Sequence, residues 1–588
     1  MPERAELAHG AGRAEQPTWP GLTLEAVLYA ALLMGAAFIR LFDLGRWPLL
    51  PSEARQALAA WHFLQGQPAG ASVAPLLFDG ALGGMFAFGA SDAVVRLLPA
   101  LLGTAVVLTP LALRRQLGHW GALAATFLLA FSPTLVYYSR TLAGLAPTLA
   151  GLAALLWALQ LAGRRQVTRA KIVGGVGLAV SLISGPLTYT FLLAAGLFAG
   201  LAWLAKRRGQ PWLGWAATQE ALQPVLGDGR AWAAWAATVL PVSTAFFLNV
   251  GGLQGAVDQL GAWLARLAPG SAGRAWAYPL GILAYYEIGA LLLGAVGAVI
   301  AWRRQALLGR FLVVWAVVAV ALATLSGARD GEAVALAVLP LALLSGFAVS
   351  RLVARLERPQ WAWVGVGLLA LGSLLAFWWL NLTAYSVDYA DGLQRDRLLV
   401  GVLAAVGPLF LVGAIAIFRS WVGHAETVWA TSILGLALVG ALTLRSSVAL
   451  NFDHARDPRE PLVVAPSAVN LRDMVGFLEN WSARTALDQH ALTIGVQRDL
   501  GPLVPWYLRD FVGLRLIGAT DDASQFDALV LAAGDQAAPP AGYAGTRFVL
   551  QTASDAPLGS PRDALAWWLV GTQGGAVRQE ALELWVKP

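Results

Sequence analysis

Cysteine is absent from this 588-residue chain, so neither a disulfide nor a cysteine nucleophile contributes to its structure or chemistry. Charged residues are also few: they make up 13% of the sequence, against about 25% in a typical soluble domain. The metalloprotease pattern HExxH, the phosphate-binding loop and the EF-hand pattern do not occur. Basic residues are confined to short runs between apolar stretches, which excludes the continuous basic patch of a nucleic-acid-binding protein. The sequence therefore predicts no metal site and no nucleic-acid partner.

Apolar residues dominate the composition instead, at 57% of the chain with a mean hydropathy of +0.62. They recur in runs of about 17–23 residues, the length that an α-helix needs to cross a bilayer. Many of the 25 Trp residues lie near the ends of these runs, as expected at a membrane–water interface. We therefore expect a polytopic α-helical membrane protein with about thirteen spans. The predicted spans lie near residues 22–42, 94–113, 120–138, 141–162, 172–187, 188–205, 231–249, 280–302, 311–326, 332–350, 361–383, 397–418 and 425–445.

The charge of the short loops predicts the orientation of these spans. Basic runs occupy alternate loops, among them RRQLGH at 114–119, KRRGQ at 206–210 and RRQALLGR at 303–310. These loops are expected on the cytoplasmic side of the plasma membrane, and the first apolar run is expected to stay as a helix rather than to be cleaved as a signal peptide. The N-terminus is then cytoplasmic. The first outer loop, at 43–93, is long enough for two short helices, and another at 251–279 contains an amphipathic stretch.

A change of composition after Arg445 suggests a membrane domain at 1–445 and a soluble extracytoplasmic domain at 446–588. The charged stretch NFDHARDPREP is interpreted as a linker, and a helix is predicted after it with Ser467 as its N-cap. Four strand-like runs follow, ALTIGV, VGLRLIG, DALVLAA and TRFVLQT, and then a helix-like PRDALAWWLV and a final ALELWV. This order of elements predicts a small α/β domain at the C-terminus.

Ionisable residues cluster where the first span enters the first outer loop. Arg40 and Asp43 lie at the exit of the span, and Glu53 begins an amphipathic helix just beyond it. A carboxylate held at the membrane surface can act as a general base toward an acceptor hydroxyl, which is otherwise a weak nucleophile. The alternative is structural: Glu53 stabilises a helix N-terminus through the macrodipole, with Ser52 as the cap. Spacing alone favours this alternative.

Two arginines lie at outer helix boundaries. Arg96 begins the second predicted span, and Arg140 follows the stretch SPTLVYYS with Tyr138 just before it. The Arg96 guanidinium is able to bind a phosphate through charge-assisted, bidentate hydrogen bonds, and Arg140 lies where an anionic lipid headgroup is expected. The alternatives are an Arg96 that extends to the lipid headgroups and an Arg140 that anchors an aromatic belt.

Glu287 lies within an otherwise apolar span, directly after Tyr285 and Tyr286. A carboxylate at that depth needs a partner or a water-filled cavity, so function and an internal structural pair are equally compatible with it. Two outer turns carry charges that we expect to be solvated. These are Arg329, Asp330, Glu332, Asp388, Asp391 and Asp396.

Taken in order, these segments resemble the GT-C superfamily of membrane glycosyltransferases, which includes protein O-mannosyltransferases and the lipid A aminoarabinose transferase. The matching segments are Arg40 to Ala54 (R-x-x-D-L-x-x-W-P-L-x-x-x-E-A), Arg96 to Gly103 (R-L-x-x-A-L-x-G) and Ser132 to Arg140 (S-P-x-x-V-Y-Y-S-R). The bacterial and archaeal family of flippase activity-associated proteins is similar through further segments, at Tyr278 to Glu287, Pro505 to Phe511 and Tyr543 to Gly545.

The resemblance implies a GT-C-like fold and a polyprenyl-phosphate-linked sugar donor bound between the outer loops and the helices. It implies that the sugar passes, with inversion, to a protein or lipid acceptor outside. By matching position, Glu53 would activate the acceptor, while Arg96 and Arg140 would steady the donor phosphate. The supporting residues would be Arg40, Asp43, Tyr138, Tyr285 and Glu287. Some superfamily members use a divalent metal and others do not, so the resemblance leaves the need for a divalent metal open.

The sequence departs from the family pattern at three places. The acid pair of the first outer loop is reduced to Ser52–Glu53, the acid expected soon after Arg140 is missing, and ARDGEA replaces a K-x-P-W-like element. Since Ser or Gly cannot replace a catalytic base, two other hypotheses stay open. One is a non-catalytic flippase or transport-associated protein that handles lipid-linked glycans without forming a product. The other is a structural membrane protein whose outer domain docks a partner.

Overall fold

The structure is a computed structural model that describes residues 23–68, 74–209, 229–268, 274–386, 394–518, 523–534, 542–554, 561–570 and 577–588. The predicted turn residues Asp388 and Asp391 lie outside these ranges, as do the side chain of Asp396 and most of the inner segment 211–230.

The part of the chain before the C-terminal domain is helical, because in a bilayer a lone apolar segment satisfies its own backbone hydrogen bonds only as a helix. Its first half contains α1 (Leu24–Leu41), α2 (Pro51–Leu64), α3 (Pro75–Phe88), α4 (Asp92–Val95), α5 (Leu97–Val106), α6 (Thr109–Ala112), α7 (Arg114–Leu117), α8 (His119–Phe131), α9 (Pro133–Ser139), α10 (Leu145–Gly163), α11 (Val167–Ser184) and α12 (Thr188–Arg207). Its second half contains α13 (Gly229–Ser243), α14 (Gly252–Leu267), α15 (Tyr278–Tyr286), α16 (Ile288–Arg303), α17 (Leu307–Leu325), α18 (Gly331–Ala335), α19 (Val338–Val353), α20 (Trp361–Ser386), α21 (Gln394–Trp421) and α22 (His424–Val448).

Nine helical stretches within the described ranges are long and apolar enough to cross a membrane, and two bent helix pairs raise this number to eleven if each pair is one span. The polytopic helical class is therefore confirmed, although the clear spans are fewer than the roughly thirteen predicted. The predicted spans at 94–113 and 231–249 account for the difference. The first is divided into short helices, and the second is α13, which has 15 residues with Pro241 inside it.

Two spans are broken within the bundle. Between α8 and α9 the axis bends by 53° at Ser132, which is followed by Pro133, and between α15 and α16 it bends by 100° at Glu287. Proline explains the first break, because it removes a backbone donor and clashes with the preceding turn. Elsewhere the helices approach closely: a Cβ at Gly297 of α16 would overlap the Leu344 carbonyl of α19.

The C-terminal domain contains one five-stranded sheet with the order β2-β1-β3-β5-β4. The strands are β1 (Thr493–Gln497), β2 (Gly513–Ile517), β3 (Ala528–Ala532), β4 (Ala544–Ser554) and β5 (Val577–Val586). The helices are α23 (Asn470–Thr485), α24 (Leu503–Tyr507) and α25 (Pro561–Val570). Strand β1 pairs in parallel with β2 and β3, while β5 pairs antiparallel with β3 and β4. The predicted α/β character is confirmed.

The sheet domain and the first outer loop share one hydrophobic core. Leu49, Ala57 and Phe78 of the loop belong to the same buried cluster as Leu471 and Trp506 of the domain. The loop and the domain therefore lie at the same end of the bundle, which we call the outer face. Which side of the membrane this end occupies stays a prediction.

Two predictions for the chain after α22 are wrong. Ser467 is not the N-cap of α23, which begins at Asn470 after Val469, and its hydroxyl donates instead to the Leu49 carbonyl at 2.6 Å. The presumed charged linker is not a solvated connection either. Leu450 and Leu462 are buried in the bundle core, so residues 449–463, named here the outer-face segment, pack against the helices.

Candidate functional site

The predicted base Glu53 and the predicted phosphate ligand Arg96 form one ion pair at the outer face. Arg96 Nε donates to Glu53 Oε1 at 2.9 Å and Nη2 donates to Oε2 at 2.6 Å, which is the bidentate geometry of a guanidinium on a carboxylate. The backbone N–H groups of Leu142 and Leu50 donate to Oε1 and Oε2, each at 2.7 Å. Both charged side chains are only 2% exposed. These four hydrogen bonds fill the acceptor capacity of the carboxylate.

The local sequence explains why Glu53 points inward. Pro51 opens α2 without a backbone donor, and Glu53 reaches back to the Leu50 N–H, so the exposed Ser52 is not the cap. Burial is the largest single effect and raises the pKa of Glu53, but the charge and hydrogen bonds of Arg96, the Arg456 charge and the Leu50 N–H together outweigh it and hold the pKa below its usual value. Glu53 is thus a fixed anion in this arrangement. Its use as a general base stays a prediction, which requires the ion pair to open.

Arg96 has no donor left over for a phosphate in this arrangement. Besides its two bonds to Glu53, Nη1 donates to the carbonyls of Leu44 at 3.2 Å and Trp47 at 2.8 Å, and Nη2 donates to the Pro48 carbonyl at 3.1 Å. A guanidinium has five N–H groups, so all are engaged. Phosphate binding by Arg96 stays a prediction that requires it to exchange partners.

Arg140 closes the C-terminal end of α1. Its Nη1 donates to the carbonyls of Ile39 at 2.9 Å and Phe42 at 2.8 Å, and its Nη2 donates to the Asp43 carbonyl at 3.3 Å. These carbonyls lack partners within the helix, so a guanidinium at this position stabilises the helix end. The guanidinium also lies over the Phe452 ring, 4.6 Å from its centroid. Phosphate binding by Arg140 stays a prediction.

Asp43 is the carboxylate of the predicted set that faces solvent. Its side chain is 42% exposed, and its described charge partner is Arg46 at 3.8 Å. Its backbone has a left-handed φ of 50°, a conformation that Asp tolerates better than most residues. Because its carbonyl is held by Arg140, this exposed carboxylate is fixed beside a buried cation.

Arg40 stabilises the end of α8 at the break between α8 and α9. It is 1% exposed, and its guanidinium donates to the carbonyls of Ala130 at 2.7 Å, Leu129 at 2.9 Å and Ala36 at 3.1 Å. The first two are among the last four carbonyls of α8, which lack helical partners because the chain bends before α9. Arg40 therefore joins α1 to the end of α8.

Glu287 joins the two breaks in the bundle. Its Oε1 accepts hydrogen bonds from the Ser132 hydroxyl at 2.5 Å, the Thr134 hydroxyl at 2.7 Å and the Thr134 N–H at 3.1 Å. Ser132 is also the N-cap of α9, where its oxygen accepts from the Leu135 N–H at 3.2 Å. Of the two predicted interpretations, the contacts favour an internal structural role, with hydroxyl partners in place of an opposite charge.

The two predicted aromatic residues lie apart from each other. Tyr138 packs edge-to-face on Tyr137, and its hydroxyl lies so close to Gly331 that an added Cβ there would be 2.8 Å away. Tyr285 packs on Tyr286 with ring centroids 4.7 Å apart, and its carbonyl accepts from Trp568 Nε1 at 3.1 Å. Tyr138 thus faces the turn before α18, and Tyr285 faces the C-terminal domain.

The outer-face segment is the part of the site that sequence reasoning missed. It begins with a π-helical turn, Ala449–Asp453, a rare conformation that is frequent at functional sites. Asn451 Nδ2 donates to the Pro133 carbonyl at 3.3 Å, and Arg456 Nη2 donates to the Pro48 carbonyl at 2.5 Å. The segment therefore lies between the break at Ser132 and the first outer loop.

Glu460 holds the far end of the outer-face segment. It is 3% exposed and accepts hydrogen bonds from the Tyr286 hydroxyl and from Trp567 Nε1 at 2.7 Å. His454 Nδ1 lies 3.5 Å from its Oε2, and this interaction raises the pKa of His454. A cavity lined by these side chains and Arg445 lies next to this cluster. The sequence shows only one acid among several charges in this run, and such a pattern does not distinguish a paired charge from a solvated one.

The guanidinium groups of Arg96, Arg140 and Arg456 lie near one another at the outer face. Burial, with the repulsion of Arg96 next in size, lowers the pKa of Arg456 to about 10. Arg140 completes the set, with the exposed Asp43 next to it. Such a concentration of cations in a low-dielectric site stabilises phosphate charge more strongly than it would in water.

The turn before α18 is not simply solvated, so the prediction for Asp330 and Glu332 is wrong. Arg266 of α14 donates to Glu332 at 2.7 Å and lies 3.6 Å from Asp330. Asp330 also caps α18, since its Oδ1 accepts from the Ala333 N–H at 2.8 Å. Arg329 Nη1 donates to the Arg274 carbonyl at 2.6 Å. These contacts join the predicted amphipathic helix to the bundle.

A further carboxylate, Asp79, lies in α3 of the first outer loop. Neither of its oxygens has a hydrogen-bond partner among the described residues, and burial raises its pKa to about 7. No group of three or more potential metal ligands occurs within the described ranges. The question of a divalent metal therefore rests on the resemblance alone.

Comparison with known proteins gives one kind of match. No family model matches the chain, and no curated protein matches it. Among solved structures, the chain is similar to two crystal structures of ArnT from Cupriavidus metallidurans. In one of them ArnT is bound to undecaprenyl phosphate, and in the other it is in the apo state. The TM-scores are 0.54 and 0.52, with 15% identity over 95% of this chain and 97% of each ArnT chain. At this identity the likeness is evidence for the fold, and the more specific resemblance to flippase activity-associated proteins stays a prediction.

Proposed function

We propose, since the chain has the GT-C fold of the aminoarabinose transferase ArnT, that it is a membrane glycosyltransferase. Its donor would be a polyprenyl-phosphate sugar, and its acceptor a protein or lipid at the outer face. The observation that carries this proposal is the match to ArnT bound to undecaprenyl phosphate, which extends over nearly all of both chains.

The geometry of the outer face supports a phosphate ligand. Arg96, Arg140 and Arg456 lie around the first outer loop, and the first broken span ends at Arg140. In the proposed reaction the acceptor hydroxyl gives its proton to a carboxylate, and its oxygen bonds to the anomeric carbon. The bond from that carbon to the phosphate oxygen breaks, and the polyprenyl phosphate leaves with its electron pair. Nearby cations would stabilise the charge that develops on the leaving phosphate.

Two carboxylates compete for the role of base. Glu53 matches the family position, but it can accept a proton only if the donor phosphate takes Arg96 from it. Asp43 needs no such rearrangement, because its side chain is exposed beside Arg140. Ser52 occupies the place of one acid of the family's acid pair, so either Asp43 or Glu53 would have to act as the base alone. A pair of variants separates the two assignments.

The test is sugar transfer by the purified protein in nanodiscs, with radiolabelled polyprenyl-phosphate sugars and a membrane extract as acceptor. We expect label to move from donor to acceptor. Loss of transfer in a stably folded Asp43→Asn variant, with transfer retained in Glu53→Gln, would identify Asp43 as the base. The opposite result would identify Glu53. Donor binding without transfer, across a broad panel of donors and acceptors, would contradict the proposal and favour a non-catalytic handler of lipid-linked glycans.

A further inference from the structure

Asp92 connects the first outer loop to the C-terminal domain. It is 8% exposed at the start of α4, and three side chains of the domain donate to its carboxylate. Trp506 Nε1 lies 2.9 Å from Oδ1, while the Tyr507 hydroxyl and Arg472 Nη2 lie 2.7 Å and 2.6 Å from Oδ2. A buried carboxylate with a cation and two neutral donors is a strong, geometrically specific contact.

Two of these donors also hold the backbone that leads to Glu53. The Tyr507 hydroxyl accepts from the Leu49 N–H at 2.8 Å, and Arg472 donates to the carbonyls of Gly45 at 2.7 Å and Arg46 at 2.9 Å. Asp92, Arg472 and Tyr507 are therefore one network with the segment 44–50. This segment has no regular secondary structure of its own until α2 begins.

The remaining carbonyls of the segment are held from both sides. Arg96 of the bundle donates hydrogen bonds to the carbonyls of residues 44, 47 and 48. From the C-terminal side, the Ser467 hydroxyl donates a hydrogen bond to the carbonyl of residue 49, and Arg456 donates one to the carbonyl of residue 48. Every carbonyl from residue 44 to 49 thus has a side-chain donor. A coil segment fixed in this way loses its order when one set of donors is removed, because the other set alone leaves polar groups unpaired.

We infer that the C-terminal domain is a working part of the active site. Its residues Arg472 and Tyr507, together with Asp92 of the first outer loop, position the segment 44–50. The inference rests on the proposed function, because the segment connects Asp43 to the Glu53–Arg96 pair. These three residues are positioning residues that act through the segment. The domain is then built into the enzyme and is not mainly a dock for another protein.

The experiment compares Asp92→Asn and Tyr507→Phe with Asp473→Asn in the full-length protein. Tyr507→Phe keeps the ring and removes only the hydroxyl that joins Asp92 to Leu49, so it tests the network if Asp92→Asn folds poorly. Asp473 is an exposed acid on α23, the helix that also carries Arg472, and serves as the matched control. The readouts are deuterium exchange of residues 44–53 and the kinetics of sugar transfer.

We expect exchange of residues 44–53 to become at least about tenfold faster in both network variants and to stay unchanged in the control. We expect kcat to fall at least about tenfold, with the KM for the donor within about threefold of wild type, because geometry rather than donor contact is lost. Faster exchange with unchanged kcat would overturn the inference and leave a purely structural contact. Unchanged exchange in both network variants would also overturn it.

The proposed function can fail independently. If the wild-type protein transfers no sugar, deuterium exchange of residues 44–53 still tests the positioning of the segment 44–50. Faster exchange in both network variants, with the control unchanged, would support that positioning, and unchanged exchange in both would overturn it.

Discussion

The Glu53–Arg96 pair gives the sharpest stability prediction. Glu53→Gln keeps the size of the side chain and removes its charge. One carboxylate oxygen becomes an amide nitrogen, which then faces two donors: Arg96 and the N–H of either Leu50 or Leu142. The guanidinium stays buried without its counter-charge.

The expected magnitude follows from the burial of both partners. Removing one partner of a buried ion pair costs about 3–5 kcal/mol, since an uncompensated charge stays in the low-dielectric interior. We expect Glu53→Gln to lose this amount of unfolding free energy. Asp43→Asn is the matched control: its carboxylate is exposed and pairs at 3.8 Å, so its loss should cost at most about 1 kcal/mol.

The assay is equilibrium unfolding in detergent micelles followed by tryptophan fluorescence. A double-mutant cycle with Arg96→Met adds a second check, because the two single variants share one interaction and should not be additive. If Glu53→Gln unfolds within about 0.5 kcal/mol of wild type, as surface variants do, the buried pair is not formed and the reasoning fails.

Three further outcomes follow from buried or paired charges. At pH 8, Asp79→Asn should unfold at a higher temperature than wild type, because burial raises the pKa of Asp79 to about 7 and disfavours its anion in the folded state. This gain should shrink as the pH falls from about 7 toward about 4, and a pH-independent difference would argue against it. Glu460 raises the pKa of His454 above its ordinary value of 6.5. The protonated His454 should therefore stabilise the fold fully below about pH 6.5, and this stabilisation should be lost as the pH rises through the pKa of His454 in the folded protein. His454→Gln should remove this slope from the unfolding temperature, and a slope that persists would contradict the assignment. Glu287→Ala should lower the unfolding midpoint well below that of Glu287→Gln, because it leaves three buried donors without an acceptor at about 1–3 kcal/mol each. Equal midpoints would show that these hydrogen bonds contribute little.

The membrane class could be predicted from the sequence because it depends on local composition. Apolar runs such as 145–163 and 307–325 carry enough hydropathy to be recognised one at a time. The breaks at Ser132 and Glu287 could not be predicted in the same way. Pro133 explains the first break locally, but the contact that joins it to the break at Glu287 is a hydrogen bond between residues 155 positions apart, which no window on the sequence contains.

The candidate site shows the same limit. Glu53, Arg96 and Arg140 could be selected because charges are rare in this chain, yet their spacing did not indicate that Glu53 and Arg96 pair with each other.

The outer-face segment was misinterpreted for a related reason. A run of charges usually means solvent exposure, and residues 451–461 contain six ionisable side chains. Here Glu460 finds its partner in Trp567, 107 residues later, and Arg456 finds its partner in Pro48, 408 residues earlier. Only the three-dimensional structure shows that these charges face the bundle.

The central claim is that the protein breaks the bond between a sugar and a polyprenyl phosphate. The most direct measurement is release of undecaprenyl phosphate from a labelled undecaprenyl-phosphate sugar by the purified protein in nanodiscs, supplied with a membrane extract as acceptor. The account predicts release that depends on the extract and stops in a folded Asp43→Asn or Glu53→Gln variant. Binding of the donor without any release, across the sugars tested, would contradict it.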